Sequence, residues 1–111
     1  MEDGIMNTDQ ENNRNKINRE TARIAWKELQ RHFASGATLV VSDDLDLVEV
    51  ALQMSSDNRA LFEQWLTVGK INEVSDEQAL AWYEADAKMW SVVVSPWVLV
   101  QQISDLGNGA L

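Results

Sequence analysis

The chain has 111 residues, a net charge of −9, five tryptophans, one histidine and no cysteine. A chain of this length buries roughly two-thirds of its unfolded surface, so we expect one hydrophobic core. The absence of cysteine excludes disulfides, iron–sulfur clusters and a thiol nucleophile. The single histidine, His32, excludes zinc sites built from several histidines, and it is the one imidazole that a catalytic site could use.

The two ends of the chain differ in composition from its middle. Residues 1–16 are rich in Asn, Asp, Glu and Gln, which predicts a disordered N-terminal tail, and residues 104–111 are interpreted as a flexible C-terminal tail. Between them we expect a single α+β domain over residues 17–103. There is no signal-peptide pattern, and the longest apolar run, residues 92–100, is far shorter than the roughly 20 residues that span a bilayer. The sequence therefore predicts a cytoplasmic protein without a membrane anchor.

Charge is distributed unevenly along the chain. Residues 1–13 carry four acids and no base, residues 14–31 carry six bases and two acids, and residues 32–111 carry three bases and twelve acids. This pattern predicts a basic edge on an acidic body. The overall negative charge argues against nucleic acid as a partner, because such binding depends on neutralising phosphates with Lys and Arg.

The first predicted helix runs from about Asn18 to Gly36, where a glycine suits a left-handed C-terminal position. Four basic residues recur along it at every fourth position: Arg19, Arg23, Lys27 and Arg31. Like charges at this spacing repel, and an acidic counter-surface would relieve the repulsion. We interpret them first as a solvated face, with an interaction stripe for an acidic protein partner or a second copy of the chain as the alternative. Ile17 and Ile24, one heptad apart, would add an apolar contact surface.

A short strand is predicted over residues 37–41, and the sequence SDDLDLVEVA, residues 42–51, begins a second helix. Its apolar residues cover most of a helical wheel, so this helix should be the most buried one. Its acids suit caps and a first turn, where the helix dipole favours negative charge. Three of them, Asp43, Asp46 and Glu49, are alternative candidates for a magnesium site, although capping is the interpretation that we prefer.

A third helix is predicted over residues 57–69, from an Asp cap to a terminating glycine. Residues 70–74 have the composition of a short strand. Ser75 and Gln78 match a capping box for a fourth helix, which we expect to continue to about Met89.

Asp86 is the single residue that we consider first for a chemical role. On the predicted fourth helix it falls on the side of the inward-facing Trp82, Tyr83 and Trp90 rather than on the polar side. A carboxylate beside indole rings is either hydrogen-bonded for structural reasons or is a titrating group in a partly apolar pocket. The structural role is the interpretation that we prefer. His32 is likewise interpreted as a boundary residue before it is considered as a catalytic base.

The strongest strand signal in the chain covers residues 90–103. Apolar residues on both faces predict a central strand that is covered on both sides, and Pro96 predicts a bulge or a break within it, because proline cannot donate a hydrogen bond to a ladder. The predicted fold is therefore α+β, with about four helices packed on a small sheet of about three strands.

Several segments in order along the chain resemble a known family. They are ETARIAWKELQRHFASG, LDLVEVA, the Trp65 to Lys70 turn, SDEQA and VVVSPWVLVQ. Together they are similar to the uncharacterised bacterial family designated domain of unknown function number 2288. The resemblance implies a small bacterial cytoplasmic domain. It implies no activity and no site residues.

Two functional hypotheses from different classes fit these observations. The first is a small acidic binding or assembly module that acts as a homo-oligomer or with an acidic partner. The second is a small-molecule binder or an enzyme in which Asp86 titrates beside Tyr83 and Trp residues. The first is preferred, because no catalytic constellation is apparent. No phosphate-cradling glycine loop is present either, so we expect no cofactor.

Overall fold

The computed structural model describes residues 2–103, with side chains described from residue 11 onward. This part of the chain forms five helices and five strands, rather than the four helices and three strands predicted. In chain order they are α1 Glu2–Glu20, β1 Ala22–Ala25, α2 Trp26–Ala34, β2 Thr38–Val41, α3 Leu47–Ser55, α4 Arg59–Thr67, β3 Ile71–Glu73, α5 Asp76–Glu84, β4 Lys88–Val94 and β5 Trp97–Gln102. The predicted mixture of helices with one sheet is confirmed.

The five strands form one mixed sheet in the order β1-β4-β5-β2-β3. Only β2 and β5 are parallel, and the other neighbours are antiparallel. The strongest strand signal is the centre of this sheet, where β4 and β5 pair from Met89 opposite Gln102 to Val94 opposite Trp97. The turn between them contains the cis peptide Ser95–Pro96. The predicted break at Pro96 is thus confirmed, and it gives two paired strands.

Side chains alternate across the sheet and build two hydrophobic clusters, one on each side. The first joins the sheet to α1, α3 and α4, and its buried members include Leu39, Val92 and Leu99. The second joins the other side of the sheet to α2 and α5 around Trp26 and Trp82, whose rings meet edge-on at 5.0 Å. The central strands are therefore covered on both sides, as predicted.

The helix predicted to be most buried is α3, and the structure confirms its central place. It contributes four buried residues to the first cluster: Leu47, Val50, Ala51 and Leu52. α4, by comparison, has no buried residue and packs through the half-buried Phe62 and Trp65.

The first predicted helix is wrong, because the chain leaves the helical path in its middle. α1 ends at Glu20, β1 pairs with β4 from Ala22 opposite Ser91, and a new helix starts at Trp26. The backbone N–H of Trp26 donates to the carbonyl of Ala87 at 2.8 Å. Pairing with a strand more than 60 residues away thus overrides local helix propensity. The predicted end at Gly36 is confirmed by its positive φ of 76°.

The structure also differs from the predicted disordered tail over residues 1–16, because α1 begins at Glu2. Ile17 holds the end of this helix against the core and is 8% exposed. One turn earlier, Arg14 Nη2 lies 2.6 Å from Glu49 Oε1 on α3. A single apolar contact with an adjacent ion pair is a weak signal in a polar sequence, which explains why composition alone predicts disorder here. The predicted C-terminal tail, residues 104–111, lies outside the described residues.

Two other predicted helix boundaries move. α4 is capped by Asn58, whose side chain accepts from the N–H of Leu61, while Asp57 precedes it with a φ of 62°. α5 starts at the predicted capping box but ends at Glu84 instead of near Met89, because the following residues are drawn into β4. The short strand predicted over residues 70–74 is confirmed as β3.

Truncation of Ile17 tests whether α1 is part of the folded unit. Ile17→Ala should lower the free energy of unfolding by about 2 kcal/mol, the low end for a buried isoleucine, since the site is at the rim of the core. Urea denaturation followed by circular dichroism measures this difference. Lys16→Ala, at the neighbouring exposed position, is the matched control and should change stability by less than about 0.5 kcal/mol. Equal effects of the two variants would contradict the packing of α1.

The contact between α1 and α3 should depend on pH through Glu49. Hydrogen bonds from the Gln53 amide first and from Arg14 second hold the pKa of the Glu49 carboxyl below its ordinary value. A lowered folded-state pKa gives stability that is complete above the unfolded-state value of roughly 4.3 and is lost as the pH falls through the folded-state value.

The difference in urea midpoint between the wild type and Glu49→Gln should therefore be largest near neutral pH. It should shrink as the pH falls through the lowered folded-state pKa of Glu49, because the wild-type carboxyl then becomes protonated as well. A difference that stays constant over this pH range would contradict the assignment.

Candidate functional site

The structure does not place Asp86 where the sequence predicted it. Its side chain is 72% exposed, and Oδ1 lies 3.6 Å from Lys27 Nζ. Lys27 also lies over the ring of Tyr83, with Nζ 5.1 Å from the centroid. The prediction was wrong because it assumed a continuing helix, whereas α5 ends at Glu84 and Asp86 takes a φ of 52°. Asp86 is a surface ion-pair residue and not an enclosed titrating group.

His32 is half-buried in the last turn of α2, at the predicted boundary position. It follows Lys27 by five residues, which turns its side chain about 140° around the helix axis from that of Lys27. Asp86 pairs with Lys27, so the two catalytic candidates lie on different sides of α2. The structure does not assemble them into one site.

The four predicted stripe residues are divided among three elements. Arg19 belongs to the last turn of α1, Arg23 to β1, and both Lys27 and Arg31 to α2. Arg23 lies 5.1 Å above the ring of Trp90, which packs on the α1 and α3 side of the sheet. Since α2 is on the other side, the basic residues do not form one stripe.

The apolar contact surface predicted from Ile17 and Ile24 is wrong for the same reason. Ile17 packs in the cluster of α1, α3 and α4, whereas Ile24 packs against the cluster of α2 and α5. Each isoleucine is used inside the domain, on opposite sides of the sheet.

The acidic cluster after β2 acts in helix capping and loop closure. Asp46 is the N-cap of α3, and its Oδ1 accepts from the N–H groups of Val48 at 3.0 Å and Glu49 at 3.4 Å. Asp43 is exposed. Across residues 11–103, no three His, Cys, Asp or Glu side chains are grouped so that they could hold a metal ion. Of the carboxylates considered for magnesium, Asp46 caps α3 and Glu49 accepts from Arg14 and Gln53. They share no partner.

Two further contacts fix the loop that carries this cluster. Asp44 accepts hydrogen bonds from Lys70 and Ser42, and these, with Lys70 first, hold the pKa of its carboxyl below the ordinary value. Gln101 Nε2 donates to the carbonyl oxygens of Ser42 and Leu45, at 2.8 Å each. The loop between β2 and α3 is thus held to both β5 and the start of β3.

A groove opens at the end of the sheet where β4 turns into β5. It has a volume of about 330 Å³, and we call it the turn-end groove. Its lining comes from the end of α3, the start of α4 and the hairpin turn: Met54, Asp57, Asn58, Arg59, Phe62, Val94, Ser95, Pro96 and Trp97. The apolar members Met54, Phe62, Val94 and Trp97 are half-buried at the edge of the first core cluster. The groove is therefore an open continuation of the core.

A second hollow lies beside the first, along the outer edge of β4. It has a volume of about 480 Å³, and we call it the edge hollow. Its lining residues are Asn13, Lys16, Ile17, Glu20, Met54, Ser55, Asp57, Val93, Val94 and Ser95. Four of these also line the turn-end groove, so the two depressions adjoin across the hairpin turn.

The charges around these depressions are balanced. Arg59 Nε lies 3.4 Å from Asp57 Oδ1 at the mouth of the turn-end groove, and both side chains are exposed. The edge hollow adds one base, Lys16, and one acid, Glu20. The lining has no histidine, and its serines have no adjacent imidazole to act as a base. Such a surface is suited to holding an apolar group and not to acid–base chemistry.

Comparison with known proteins places the chain in a family. The model of the DUF2288 family, described as a protein of unknown function, matches residues 12–102. The chain belongs to the DUF2288 family. The resemblance predicted from the sequence is thereby confirmed.

A related structure shares this fold. The NMR solution structure of PA1075 from Pseudomonas aeruginosa is 44% identical to this DUF2288 protein, with a TM-score of 0.72, over 80% of this chain and 82% of that chain. No curated protein matches the sequence. The function of this DUF2288 protein must therefore be argued from its surface. Within the described part of the chain, no helix has the length and apolar character needed to cross a membrane.

Sequence reasoning missed both depressions, although it marked their parts. The sequence predicts a helix cap at Asp57 and a strand break at Pro96, each as a separate local feature. They are about 40 residues apart in the chain, and only the packing of α3 and α4 on the sheet brings them together. No local signal in the sequence marks Trp97 as a groove residue, because a tryptophan among apolar residues is equally well explained by core packing.

Substitutions at Asp46 and Asp43 separate capping from metal binding. Asp46→Ala should lower the free energy of unfolding by about 1 kcal/mol through loss of the cap, while Asp46→Asn, which caps well, should be close to the wild type. Asp43→Ala is the control, with a change below about 0.5 kcal/mol. Thermal unfolding with and without millimolar magnesium measures both effects. A midpoint that rises with magnesium, or equal losses for the two alanine variants, would contradict the capping role.

Proposed function

We propose that this DUF2288 protein is a small binding module that receives an apolar side chain of a partner polypeptide in its turn-end groove. The observation that carries the proposal is the convergence of Met54, Phe62, Val94 and Trp97 on one open groove beside the core. Binding sites in proteins are concave, largely apolar and ringed by a few polar groups. Aromatic side chains at such a site supply much of the binding free energy.

The polar residues at the rim of the turn-end groove favour an uncharged ligand group. Asp57 and Arg59 pair with one another, so the groove offers no single sign of charge although the chain carries a net charge of −9. Both side chains are exposed, so the pair itself is weak, but a charged ligand group would meet one charge of each sign and gain no net attraction from this rim. Leucine-sized aliphatic groups and indole rings fit this description.

The two functional hypotheses from the sequence fare differently. A titrating Asp86 beside tryptophans loses its support, because the side chain is exposed at the opposite end of β4 from the hairpin turn. A basic stripe for an acidic partner or a second copy also loses its geometric basis, since its residues lie on both sides of the sheet. The hypothesis of a binding module is kept, but the proposed binding surface is now the turn-end groove.

The test uses N-acetyl-tryptophanamide and N-acetyl-leucinamide as probes. Each should shift the backbone resonances of residues around the groove and the Trp97 indole resonance in a ¹H–¹⁵N NMR titration, with a dissociation constant in the millimolar range, as expected for single side chains. The indole signal is assigned with a Trp97→Phe variant.

Met54→Gln keeps the side-chain volume but makes the groove floor polar, and it should weaken binding at least about threefold. Leu80→Gln is the matched control, because Leu80 is 58% exposed on α5 and lines neither depression. The proposal is overturned if the probes cause no shifts around the groove, or if both variants bind them as the wild type does.

A further inference from the structure

The outer edge of β4 is longer than the strand that pairs with it. β1 begins at Ala22, which is opposite Ser91, while β4 continues to Val94. Residues 92–94 therefore extend past the end of β1, and no strand of the described chain pairs with them on that side. On their other side they pair with β5 up to the hairpin turn.

The alternation of hydrogen-bonding direction along β4 identifies the backbone groups that face this open edge. Trp26 donates its N–H to the carbonyl of Ala87, so Ala87 directs its backbone groups toward the β1 side. In an antiparallel pair, successive residues direct these groups to opposite sides. Met89, Ser91 and Val93 therefore face the β1 side as well. Met89 and Ser91 are opposite residues of β1, and the N–H and C=O of Val93 point into the open edge.

The surroundings of Val93 leave room for another strand. Its side chain is 61% exposed, on the same side of the sheet as Met89 by strand alternation. The edge hollow lies along this edge between the end of α1 and the loop that follows α3. Its lining joins Val93, Val94 and Ser95 to Ile17 and Glu20 of α1, so its volume of about 480 Å³ adjoins the unpaired end of β4.

We propose that the ligand of this DUF2288 protein is an extended peptide segment of low net charge, with apolar residues at its contacts with Val93 and the turn-end groove, that adds to the sheet at Val93. It would continue the line of β1, exchange backbone hydrogen bonds with Val93 and place a following side chain in the turn-end groove. Strand addition to an exposed edge is a general mode of peptide recognition in which the backbone supplies affinity and pockets supply specificity. The inference rests on the proposed function for that last side chain.

The chemistry of the edge hollow selects the class of peptide. A strand there would present one set of side chains to Val93 and the alternate set to Ile17, Met54 and Val94. These four contacts are apolar and favour β-branched or aliphatic residues, while Asn13, Ser55 and Ser95 also line the hollow and offer hydrogen bonds to polar residues of the peptide. The charged lining residues are Lys16, Glu20 and Asp57, of which Asp57 is paired with Arg59, so a peptide of high net charge meets charges of both signs at this rim.

The test begins with a phage library of random 12-residue peptides selected on the purified full chain, and the best peptide is then synthesised. Its affinity is measured by calorimetry for the wild type, Val93→Pro and Val93→Thr. Proline removes the outward N–H that β5 does not use, so the β4–β5 ladder should survive, and it should weaken binding at least tenfold. Val93→Thr keeps the backbone groups and the branched shape, and it should bind within threefold of the wild type.

A second measurement does not depend on the folding of Val93→Pro. Each peptide residue is N-methylated in turn, and binding to the wild-type chain should fall at alternate positions only, as strand pairing requires. Uniform tolerance of N-methylation, or equal binding by the proline and threonine variants, overturns strand addition.

The outcomes also separate the two proposals. Phe62 lines the turn-end groove but not the edge hollow, so Phe62→Ala tests the groove alone. Peptides that are sensitive to Phe62→Ala but not to Val93→Pro or N-methylation would overturn strand addition and leave the groove standing. Peptides sensitive to Val93→Pro but not to Phe62→Ala would keep the edge and overturn the groove. Peptides that bind neither surface would overturn both.

Discussion

Pairing of β4 with β5 positions every other part of this fold. The two strands lie side by side at the centre of the sheet, with β1 added to the free edge of β4 and the β2–β3 pair added to β5. Their side chains feed both hydrophobic clusters, so the helices on each side pack against the same two strands. Because apolar burial is the main favourable term in folding, a hairpin that buries both faces defines where each helix can dock.

The charged residues stabilise this arrangement locally and do not determine it. Asp46 caps α3, Asp44 closes a loop with Lys70, and Glu49 receives Arg14 from α1. Each interaction is partly exposed and contributes little by itself. Together they give a structural role to most of the acids in residues 42–51, the segment for which a magnesium site was the alternative. They also leave these carboxylates separated from one another.

The hairpin also explains where side chains and backbone groups of the sheet are left uncovered. α3, α4 and the end of α1 cover the middle of β4 and β5, but the strands project past them at the turn. The projection leaves Trp97 and Val94 half-buried on one side of the sheet, Val93 exposed on the other and the outer edge of β4 without a partner strand. The proposed binding surface uses side chains that are half-buried against the core, so few of them would have to be ordered on binding.

Local signals in the sequence determined the elements that depend on near neighbours. The apolar wheel of α3, the capping box at Ser75, the glycine that ends α2 and the interruption at Pro96 were all predicted and are all present, because each is decided within a few residues. The family was likewise recognisable from short segments in order. Only the tertiary structure decided that Ala22–Ala25 is a strand, that α5 stops before Asp86 and that Met54 and Trp97 line one groove. These outcomes depend on pairing and packing between residues tens of positions apart, and periodicity within one segment carries no information about such partners.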